Sequence, residues 1–454
     1  MTVFSEKMTA SEVDAALSEL LAHELICALG CTEPIAVAYA AALARKVLGH
    51  EPARMEVACS GNIIKNVKSV TVPNSQGMRG VEAAAVLGAV GGDPHGSLEV
   101  LESVRPEDVA RTRELLEDDA YCDVSLVEGV PNLYIDVLAY AEGHVAEVAI
   151  SERHTNVVRC TLDGVPTASC CPAGAACNGS CAEMVATVPA DGSLSSGHLS
   201  GLTLDMILDY AESGDVSAAR PSLERQIACN TAISEEGLAN PWGAQVGQTL
   251  LSCRGDSVAC RARARAAAGS DARMSGCALP VVIICGSGNQ GITACMPTVT
   301  YAEELGADHE RTVRALALAD LVSMHVKSYI GALSAFCGVV CAACGAGAAI
   351  TWLRGGTREQ VGMTIVNTLG NVGGIVCDGA KASCAAKISA AVDAAVLASD
   401  MALRDRGFRA GEGLVQGTVE DTIASMGYVG RVGMHATDVE ILNIMIGKTD
   451  VTGC

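Results

Sequence analysis

Residues 328–353 carry no charged side chain. This uncharged stretch exceeds the roughly 18 apolar residues that a membrane-spanning helix requires. Its content is Gly, Ala, Ser and Cys more than Leu, Ile and Phe, and it stands alone in the sequence. These properties favour a fully buried helix of a soluble protein over a membrane span. We therefore expect a helical core built around one central helix.

The interior of this chain must be packed with small side chains. Half of its 454 residues are hydrophobic, but only 3% are aromatic. Ala, Val, Leu, Gly, Cys and Met must then fill the core, and small side chains allow helices to approach closely. At about 150 residues per domain, the length suggests two or three domains.

The charge of the chain excludes several classes of partner. The formal net charge is −21, and no basic patch interrupts it, so binding to nucleic acid or to an anionic membrane surface is not expected. The N-terminus lacks the basic start and apolar run of a signal peptide. We expect a soluble cytoplasmic protein with a small-molecule substrate, and the sequence is compatible with a homodimer.

The hydrophobic patterns change along the chain and predict an α+β fold. Helical spacing marks residues 1–50, whereas short alternating runs in residues 51–160 predict an antiparallel sheet with helices. Residues 161–198 read as a Gly- and Cys-rich linker or insertion, and residues 199–454 are helical and Ala-rich. The prediction is a large all-α catalytic domain, on which the N-terminal helices pack, with an inserted smaller α+β domain.

Three cysteines, Cys337, Cys377 and Cys384, are candidate ligands of a 4Fe-4S cluster. Three thiolates would leave one iron open to a substrate, which indicates an enzyme. On a continuous helix, Cys377 and Cys384 would be separated by about 10 Å of rise, too far for one cluster. The glycines around Asp378 predict a break, with Asp378 capping a helix that begins before Cys384.

Two other groups of cysteines could hold metal. Cys337, Cys341 and Cys344 have the C-x-x-x-C-x-x-C spacing of enzymes that cleave S-adenosylmethionine with an iron-sulfur cluster, although here the spacing falls in an apolar predicted helix. Four more cysteines lie in the predicted linker, in spacings that match no common zinc pattern. These four are Cys170, Cys171, Cys177 and Cys181.

The segment GSGNQG, residues 286–291, matches the dinucleotide fingerprint G-x-G-x-x-G. We expect no NAD site, because Pro297 is predicted to interrupt the following helix and another helical pattern replaces the second strand. A loop that binds a small carboxylate is the preferred interpretation, with a tight structural turn as the alternative. The candidate residues are Ser287, Gly288, Asn289 and Gln290.

Further polar residues are candidates for the same ligand. A second SGN, with Ser60 and Asn62, also follows a strand-like run, and two similar loops could flank one substrate. Buried lysines could face an anionic ligand or cluster, although lysine more often extends its charged end to the solvent. The remaining candidates are Asn74, His154, Lys327, Lys381 and Lys387.

Cys31 lies in the sequence GCTEP, where Thr32 can cap a helix that Pro34 helps to begin. A helix N-terminus lowers the pKa of a thiol, so Cys31 is a candidate base or nucleophile. A packed cysteine at a helix break is the alternative.

The chain resembles the L-cysteine desulfidase family, which is related to the α-chain of iron-sulfur L-serine dehydratases. The resemblance extends in order through GCTEPIAVAYAAA, CSGNIIKNVKSVTVPNSQGMRG, HTN, GSGNQGI, SYIGALSAFCG, GNVGGIVCDGAKASCAAK and EDTIASMGYVGRVGM. It implies that Cys337, Cys377 and Cys384 bind a 4Fe-4S cluster and that Cys31 is the base. The Cys-rich segment 160–181 departs from the family pattern.

The resemblance implies β-elimination of L-cysteine to sulfide, pyruvate and ammonia, without pyridoxal phosphate (PLP). L-Serine dehydration to pyruvate and ammonia is the nearest alternative, since it needs the same open iron and the same base. A thiol-rich protein that stores metal or senses oxidation is an alternative of another class. In that case the metal would be held chiefly by residues 160–181.

Overall fold

The computed structural model describes residues 4–5, 8–167, 199–331 and 333–449. Most of the predicted linker, and with it the cysteines Cys170, Cys171, Cys177 and Cys181, lies outside the described residues. The described part of the chain combines many helices with a small sheet, and the predicted α+β class is confirmed.

The N-terminal part of the chain contains one six-stranded sheet. The strands of the structure are β1 Cys27–Leu29, β2 Arg54–Ser60, β3 Cys122–Val127, β4 Tyr134–Ala141, β5 His144–Ser151, β6 Val157–Leu162, β7 Val165–Pro166 and β8 Pro280–Val282. The order in the sheet is β3-β2-β4-β5-β6-β7. Its neighbouring strands are antiparallel except β2 and β3, which are parallel, so the sheet is mixed where the sequence predicted an antiparallel one. The chain between β2 and β3 forms helices, the crossover that a parallel pair requires.

Helices form most of the rest. Short β1 pairs with β8 as a separate ladder between the start of the chain and its helical half. A 3-10 turn spans Ser97–Glu99 and a π-helix spans Val429–Gly433. The α-helices are α1 Ala10–Glu24, α2 Thr32–Leu48, α3 Gly61–Val67, α4 Val81–Gly91, α5 Pro106–Leu115, α6 Leu204–Ser213, α7 Arg220–Ala239, α8 Val246–Arg254, α9 Val258–Met274, α10 Gly288–Glu304, α11 His309–Ile330, α12 Val339–Leu353, α13 Arg358–Val372, α14 Cys384–Ala402, α15 Val419–Tyr428 and α16 His435–Met445.

Local sequence signals explain where several of these helices begin. The side chains of Ser257, Ser287, Asp308 and Thr357 each accept a hydrogen bond from a backbone N–H of the first turn. Such caps replace partners that the first N–H groups of a helix lack. Pro297 lies inside α10 and does not interrupt it, contrary to the sequence prediction.

Helix α12 is the centre of the helical part. It packs against α10, α11, α13 and α14, and almost all of its residues are buried. The approach of α11 is close because of Gly345, where a Cβ atom would lie 2.0 Å from the carbonyl oxygen of Ala319. Small residues at these contacts therefore set the helix spacing, as the composition predicted.

The uncharged stretch is two elements and not the single helix that was predicted. Helix α11 ends at Ile330, because the φ of 100° at its C-cap Gly331 is outside the helical region, and α12 begins at Val339. The intervening loop carries Cys337. Within the described residues, we find no helix with the length and hydropathy needed to cross a membrane.

The two N-terminal helices pack on different parts of the protein. Helix α1 contacts α6, α7 and α11, whereas α2 packs against α4 and strands β4 and β5. The prediction that both pack on the catalytic helices is therefore wrong for α2, which covers one face of the sheet. The sheet also continues to Pro166, past the boundary predicted at residue 160.

The close contact at Gly345 predicts the effect of a small substitution there. Gly345→Ala should lower the free energy of unfolding by about 1–3 kcal/mol, because the added methyl overlaps the backbone of α11. The midpoint of urea denaturation, followed by circular dichroism, measures the change.

Gly362→Ala is the matched control within helix α13. A Cβ there would meet Leu204 Cδ2 at 3.6 Å and Val419 Cβ at 3.9 Å, both ordinary contact distances. Alanine should raise stability by up to about 1 kcal/mol through its better helix propensity. Equal midpoints for the two variants would contradict this view of the packing.

Candidate active site

A cavity of about 750 Å³ lies where the sheet part meets the helices. Its lining brings together residues that are hundreds of positions apart in the sequence. All four cysteines singled out above for the cluster and for the base lie in this lining: Cys31, Cys337, Cys377 and Cys384.

Two loops meet through backbone hydrogen bonds to place Cys337 beside Cys377. The N–H of Cys337 donates to the carbonyl of Ile375 at 2.9 Å, and the N–H of Cys377 donates to the carbonyl of Ala335 at 2.7 Å. Phe336 and Val376 form an antiparallel bridge between these bonds. The backbone thus holds both thiols at one wall of the cavity.

Cys384 is the first residue of α14, so the predicted break between Cys377 and Cys384 is present. Its Sγ accepts a hydrogen bond from the N–H of Lys381 at 3.4 Å. Gly379 has a φ of +94°, and a Cβ there would lie 2.6 Å from the carbonyl oxygen of Lys65. The loop therefore needs glycine to pass close to α3.

Contrary to the prediction, Asp378 does not cap α14. The N-cap is Ser383, whose side chain makes no capping hydrogen bond. Asp378 instead forms a short ion pair with Lys387. That pair lowers the pKa of the Asp378 carboxyl against the opposing effect of burial.

The electrostatic environment gives the three thiols different pKa values. The hydrogen bond from Cys337 lowers the pKa of the Cys377 thiol to about 6, and the charges of Lys65 and Lys327 act in the same direction. The same contact and burial raise the pKa of Cys337, while burial raises that of Cys384. Cys377 is thus the thiol most ready to exist as a thiolate, the form that binds metal.

The donor set suits an iron-sulfur cluster in its chemistry. Soft thiolates are the ligands of such clusters, and three line one cavity. In the described residues, no three side chains of His, Cys, Asp or Glu converge closely enough to hold a single metal ion. A cluster spreads its ligands around a body of several atoms, so thiols that surround a cavity fit it better than they fit one ion.

Cys31 is the N-cap residue of α2, but the pKa of its thiol is not lowered there, contrary to the prediction. Its Sγ donates a hydrogen bond to Glu33 Oε2 at 3.0 Å. Burial and the charge of Glu33 raise the pKa of the Cys31 thiol well above its ordinary value. These effects outweigh the helix N-terminus, and Cys31 is a protonated thiol at neutral pH.

Glu33 is the centre of a buried hydrogen-bond network. Asn66 Nδ2 donates to its Oε1 at 2.8 Å, and Thr32 Oγ1 lies 3.1 Å from its Oε2. Burial raises the pKa of the Glu33 carboxyl, but the charge interaction with His154, the Cys31 hydrogen bond and Arg273 together lower it. Glu33 is therefore a carboxylate that faces the thiol of Cys31.

The GSGNQG segment supplies a second wall of the cavity. Ser287, Asn289 and Gln290 line it, and Ser287 caps α10. Thr32 Oγ1 donates to the carbonyl of Gly286 at 2.8 Å, which ties this wall to the helix that carries Glu33.

Several buried polar atoms around the cavity have no hydrogen-bond partner among the described residues. Such orphaned atoms are rare in folded proteins and mark places where a ligand, an ion or a water binds. They are Asn66 Oδ1, His154 Nε2, Asn289 Oδ1 and Gln290 Oε1.

Six predicted site residues do not line this cavity, and two of them are Gly288 and Lys387. Ser60 and Asn62 line a second cavity of about 360 Å³, so the two SGN loops do not flank one ligand. Asn74 Nδ2 donates to the carbonyl of Leu101 at 2.8 Å, a structural contact. Lys381 Nζ donates to the carbonyl of Lys65 at 3.3 Å and does not line the main cavity.

The rival motifs have structural roles. Cys341 and Cys344 are fully buried within α12 and do not reach the cavity, so they cannot join Cys337 around one cluster. The strand β8 before GSGNQG is followed by α10 and α11, and no second parallel strand follows in the described residues. The dinucleotide fold is therefore not formed there.

Three residues of the site were missed: Glu33, Asn66 and Arg273. Glu33 is part of the GCTEP motif, but a glutamate in the first turn of a helix is already explained by its favourable interaction with the helix dipole. Asn66 is one turn beyond the SGN of α3. Arg273 shares α9 with several other arginines, and the sequence contains no signal that separates it from them.

Comparison with known proteins identifies the family. Residues 95–443 match the serine dehydratase alpha chain. The chain belongs to the serine dehydratase alpha chain family. This confirms the resemblance at the level of the family and indicates a dehydratase-like lyase.

Curated relatives cover nearly the whole chain. A UPF0597 protein of Lachnoclostridium phytofermentans is 46% identical over 428 residues, which are 94% of this chain and 98% of the relative. One of Finegoldia magna is also 46% identical, over 95% of this chain and 99% of the relative. A third, of Treponema denticola, is 40% identical over 94% and 97% of the two chains.

The contact between Cys31 and Glu33 predicts a pH effect. Glu33→Gln removes the negative charge that raises the pKa of the Cys31 thiol, so this pKa should fall. Cys31 should then react with iodoacetamide at lower pH than in the unmodified protein, because the thiolate is the reactive form. Mass spectrometry of the Cys31 peptide across a pH series measures the shift.

Glu152→Gln is the control, because Glu152 lines the same cavity without bonding to Cys31. It should leave the alkylation profile of Cys31 unchanged. Identical profiles for both variants and the unmodified protein would show that Glu33 does not control this thiol.

Proposed function

We propose that this protein catalyses iron-sulfur-dependent, PLP-independent β-elimination of L-cysteine to sulfide, pyruvate and ammonia. The observation that carries the proposal is the single cavity lined by Cys31 from the beginning of the chain and by Cys337, Cys377 and Cys384 from its end. Family membership supports a lyase that eliminates from an amino acid.

The three C-terminal cysteines are the proposed ligands of the cofactor. When bound, a 4Fe-4S cluster on Cys337, Cys377 and Cys384 would supply a Lewis-acidic iron whose softness favours a thiol over a hydroxyl as the leaving group. The low pKa of Cys377 favours the thiolate that such binding requires. Lys327, which is 3% exposed and lines the cavity, adds positive charge beside these thiolates.

Cys31 and Glu33 are the proposed groups that handle the α-proton of the substrate. The proton on Cys31 Sγ points to Glu33 Oε2. As Sγ accepts the α-proton it passes its own proton to Glu33, so no free thiolate has to form, and Asn66 holds the Glu33 carboxylate in position for this transfer. The aminoacrylate that leaves the site hydrolyses in water to pyruvate and ammonia.

L-Serine dehydration is the second candidate, and the family description favours it. The same proton-handling residues would serve, because the α-proton of serine has the same position relative to its leaving group. The two candidates differ only in the atom that leaves, a sulfur or an oxygen.

The cysteine assignments predict separable effects of substitution. Cys337→Ala, Cys377→Ala and Cys384→Ala should each reduce bound iron and the absorbance of the cluster after anaerobic purification. Cys31→Ala should keep the iron but lower the rate of pyruvate formation by about 100-fold or more, because it removes a general base. Iron content and pyruvate are measured on the same preparations.

Cys341→Ala is the matched control, since Cys341 is a fully buried core residue four positions from Cys337. It should keep both iron and activity. If Cys341→Ala lost the iron while Cys377→Ala and Cys384→Ala kept it, the assignment of ligands would be wrong.

The choice of substrate is tested by direct competition. Anaerobic protein should form pyruvate with a higher kcat/KM from L-cysteine than from L-serine, with sulfide released in equal amount from cysteine. A higher kcat/KM for serine would replace the proposed activity by the second candidate.

A further inference from the structure

Arg273 is a buried cation that has the Glu33 carboxylate within electrostatic range but makes no direct ion pair with a described residue. Its side chain is 2% exposed at the C-terminal end of α9, and it lines the main cavity. Arg263 and Arg265 of the same helix form ion pairs with Asp393 and Glu303, whereas Arg273 forms no ion pair with any residue the structure describes. An unpaired buried guanidinium is costly, so an anionic ligand at this position would stabilise the protein.

The guanidinium is held rigidly where it lies. Its Nε donates to the carbonyl of Gly30 at 2.9 Å. A Cβ at Gly288 would lie 2.4 Å from the same Nε, so the first residue of α10 must be glycine to let the arginine pass. Arg273 therefore lies against the N-terminus of α10.

A helix N-terminus and an arginine together form an anion site. The first N–H groups of α10 carry partial positive charge, and a guanidinium binds a carboxylate through two parallel hydrogen bonds. Asn289 Oδ1 and Gln290 Oε1, which are buried at this wall and lack partners among the described residues, are hydrogen-bond acceptors. They suit an ammonium group beside the carboxylate.

Two buried cations, Arg273 and Lys327, line the cavity, and their neighbours indicate which of them binds the carboxylate. Arg273 lies within electrostatic range of Cys31, Glu33 and Cys384, and Lys327 within range of Cys377 but not among the groups that act on Cys31. In an amino acid the carboxylate is bonded to the carbon that loses its proton, whereas the leaving group is one carbon further away. The cation near Cys31 is thus the one that suits the carboxylate.

We propose that Arg273 and the N-terminus of α10 bind the α-carboxylate of a free amino acid, with Asn289 and Gln290 accepting from its ammonium group. This assignment rests on the proposed function and specifies its substrate class as zwitterionic amino acids with a free carboxylate. It assigns carboxylate binding to Arg273, which the sequence did not distinguish, instead of the SGN side chains that the sequence favoured.

Binding of L-alanine tests the assignment without turnover, because alanine has both charged groups and no leaving group. Isothermal titration calorimetry of the anaerobic full-length protein should give tighter binding of L-alanine than of L-alaninamide. Arg273→Met should weaken alanine binding on the order of 100-fold and change alaninamide binding little, since the amide offers no carboxylate. Arg273→Lys should weaken it less, because lysine keeps the charge but loses the planar fork.

Arg263→Met is the matched control on the same helix, since Arg263 pairs with Asp393 and does not line the cavity. It should bind both ligands as the unmodified protein does. Equal losses for alanine and alaninamide in Arg273→Met would overturn the assignment, as would a carboxylate-specific loss that followed Lys327→Met instead. If Arg273→Met fails to fold, Arg273→Lys and the comparison of ligands on the unmodified protein decide, and equal affinity for alanine and alaninamide overturns it.

The outcome is distinguishable from failure of the proposed function. If the unmodified protein forms no pyruvate from cysteine or serine, but Arg273→Met still weakens alanine binding, then the amino acid site is supported and the proposed lyase activity is wrong. Loss of iron from Arg273→Met with alanine binding unchanged would show that Arg273 compensates the charge of the cluster, and the carboxylate assignment would then be wrong.

Discussion

The site depends on a short backbone bridge between two loops. Residues 335–337 and 375–377 exchange hydrogen bonds across Phe336 and Val376, and this places two thiols from different helical connections side by side. Backbone pairing is directional, so it fixes the positions of both loops more narrowly than side-chain packing would. The helices behind the loops can approach because α12 is lined with small residues, and their close packing gives the bridge a rigid base.

The other half of the site is attached to this base by polar contacts. Thr32 donates to the carbonyl of Gly286, and Arg273 donates to that of Gly30, so α2, α9 and the start of α10 meet at the cavity. Each contact joins a residue near the start of the chain to one more than 200 positions later. Cys31 and Glu33, which we propose as the pair that handles the proton, are thereby held in the same cavity as the three thiols without sharing an element with them.

The cavity concentrates charge that would be unfavourable in a sealed core. Glu33, Arg273 and Lys327 are all at least nine-tenths buried, and several amide and imidazole atoms around them lack partners in the described residues. Folded proteins rarely keep such groups in the interior unless a ligand uses them. The composition of the wall therefore agrees with a small, charged and polar ligand of the kind an amino acid lyase binds.

The sequence by itself determined the α+β class, most of the strands, the cluster cysteines as candidates and the position of Cys31 at a helix N-terminus. These follow from periodicity, glycine breaks and motifs that act over a few residues. Only the tertiary structure decided the raised pKa of Cys31, the displacement of Ser60, Asn62 and Asn74 from the cavity, and the importance of Glu33 and Arg273. Those properties depend on burial and on contacts between residues that are distant in the sequence. A pattern of neighbouring residues contains information about neither.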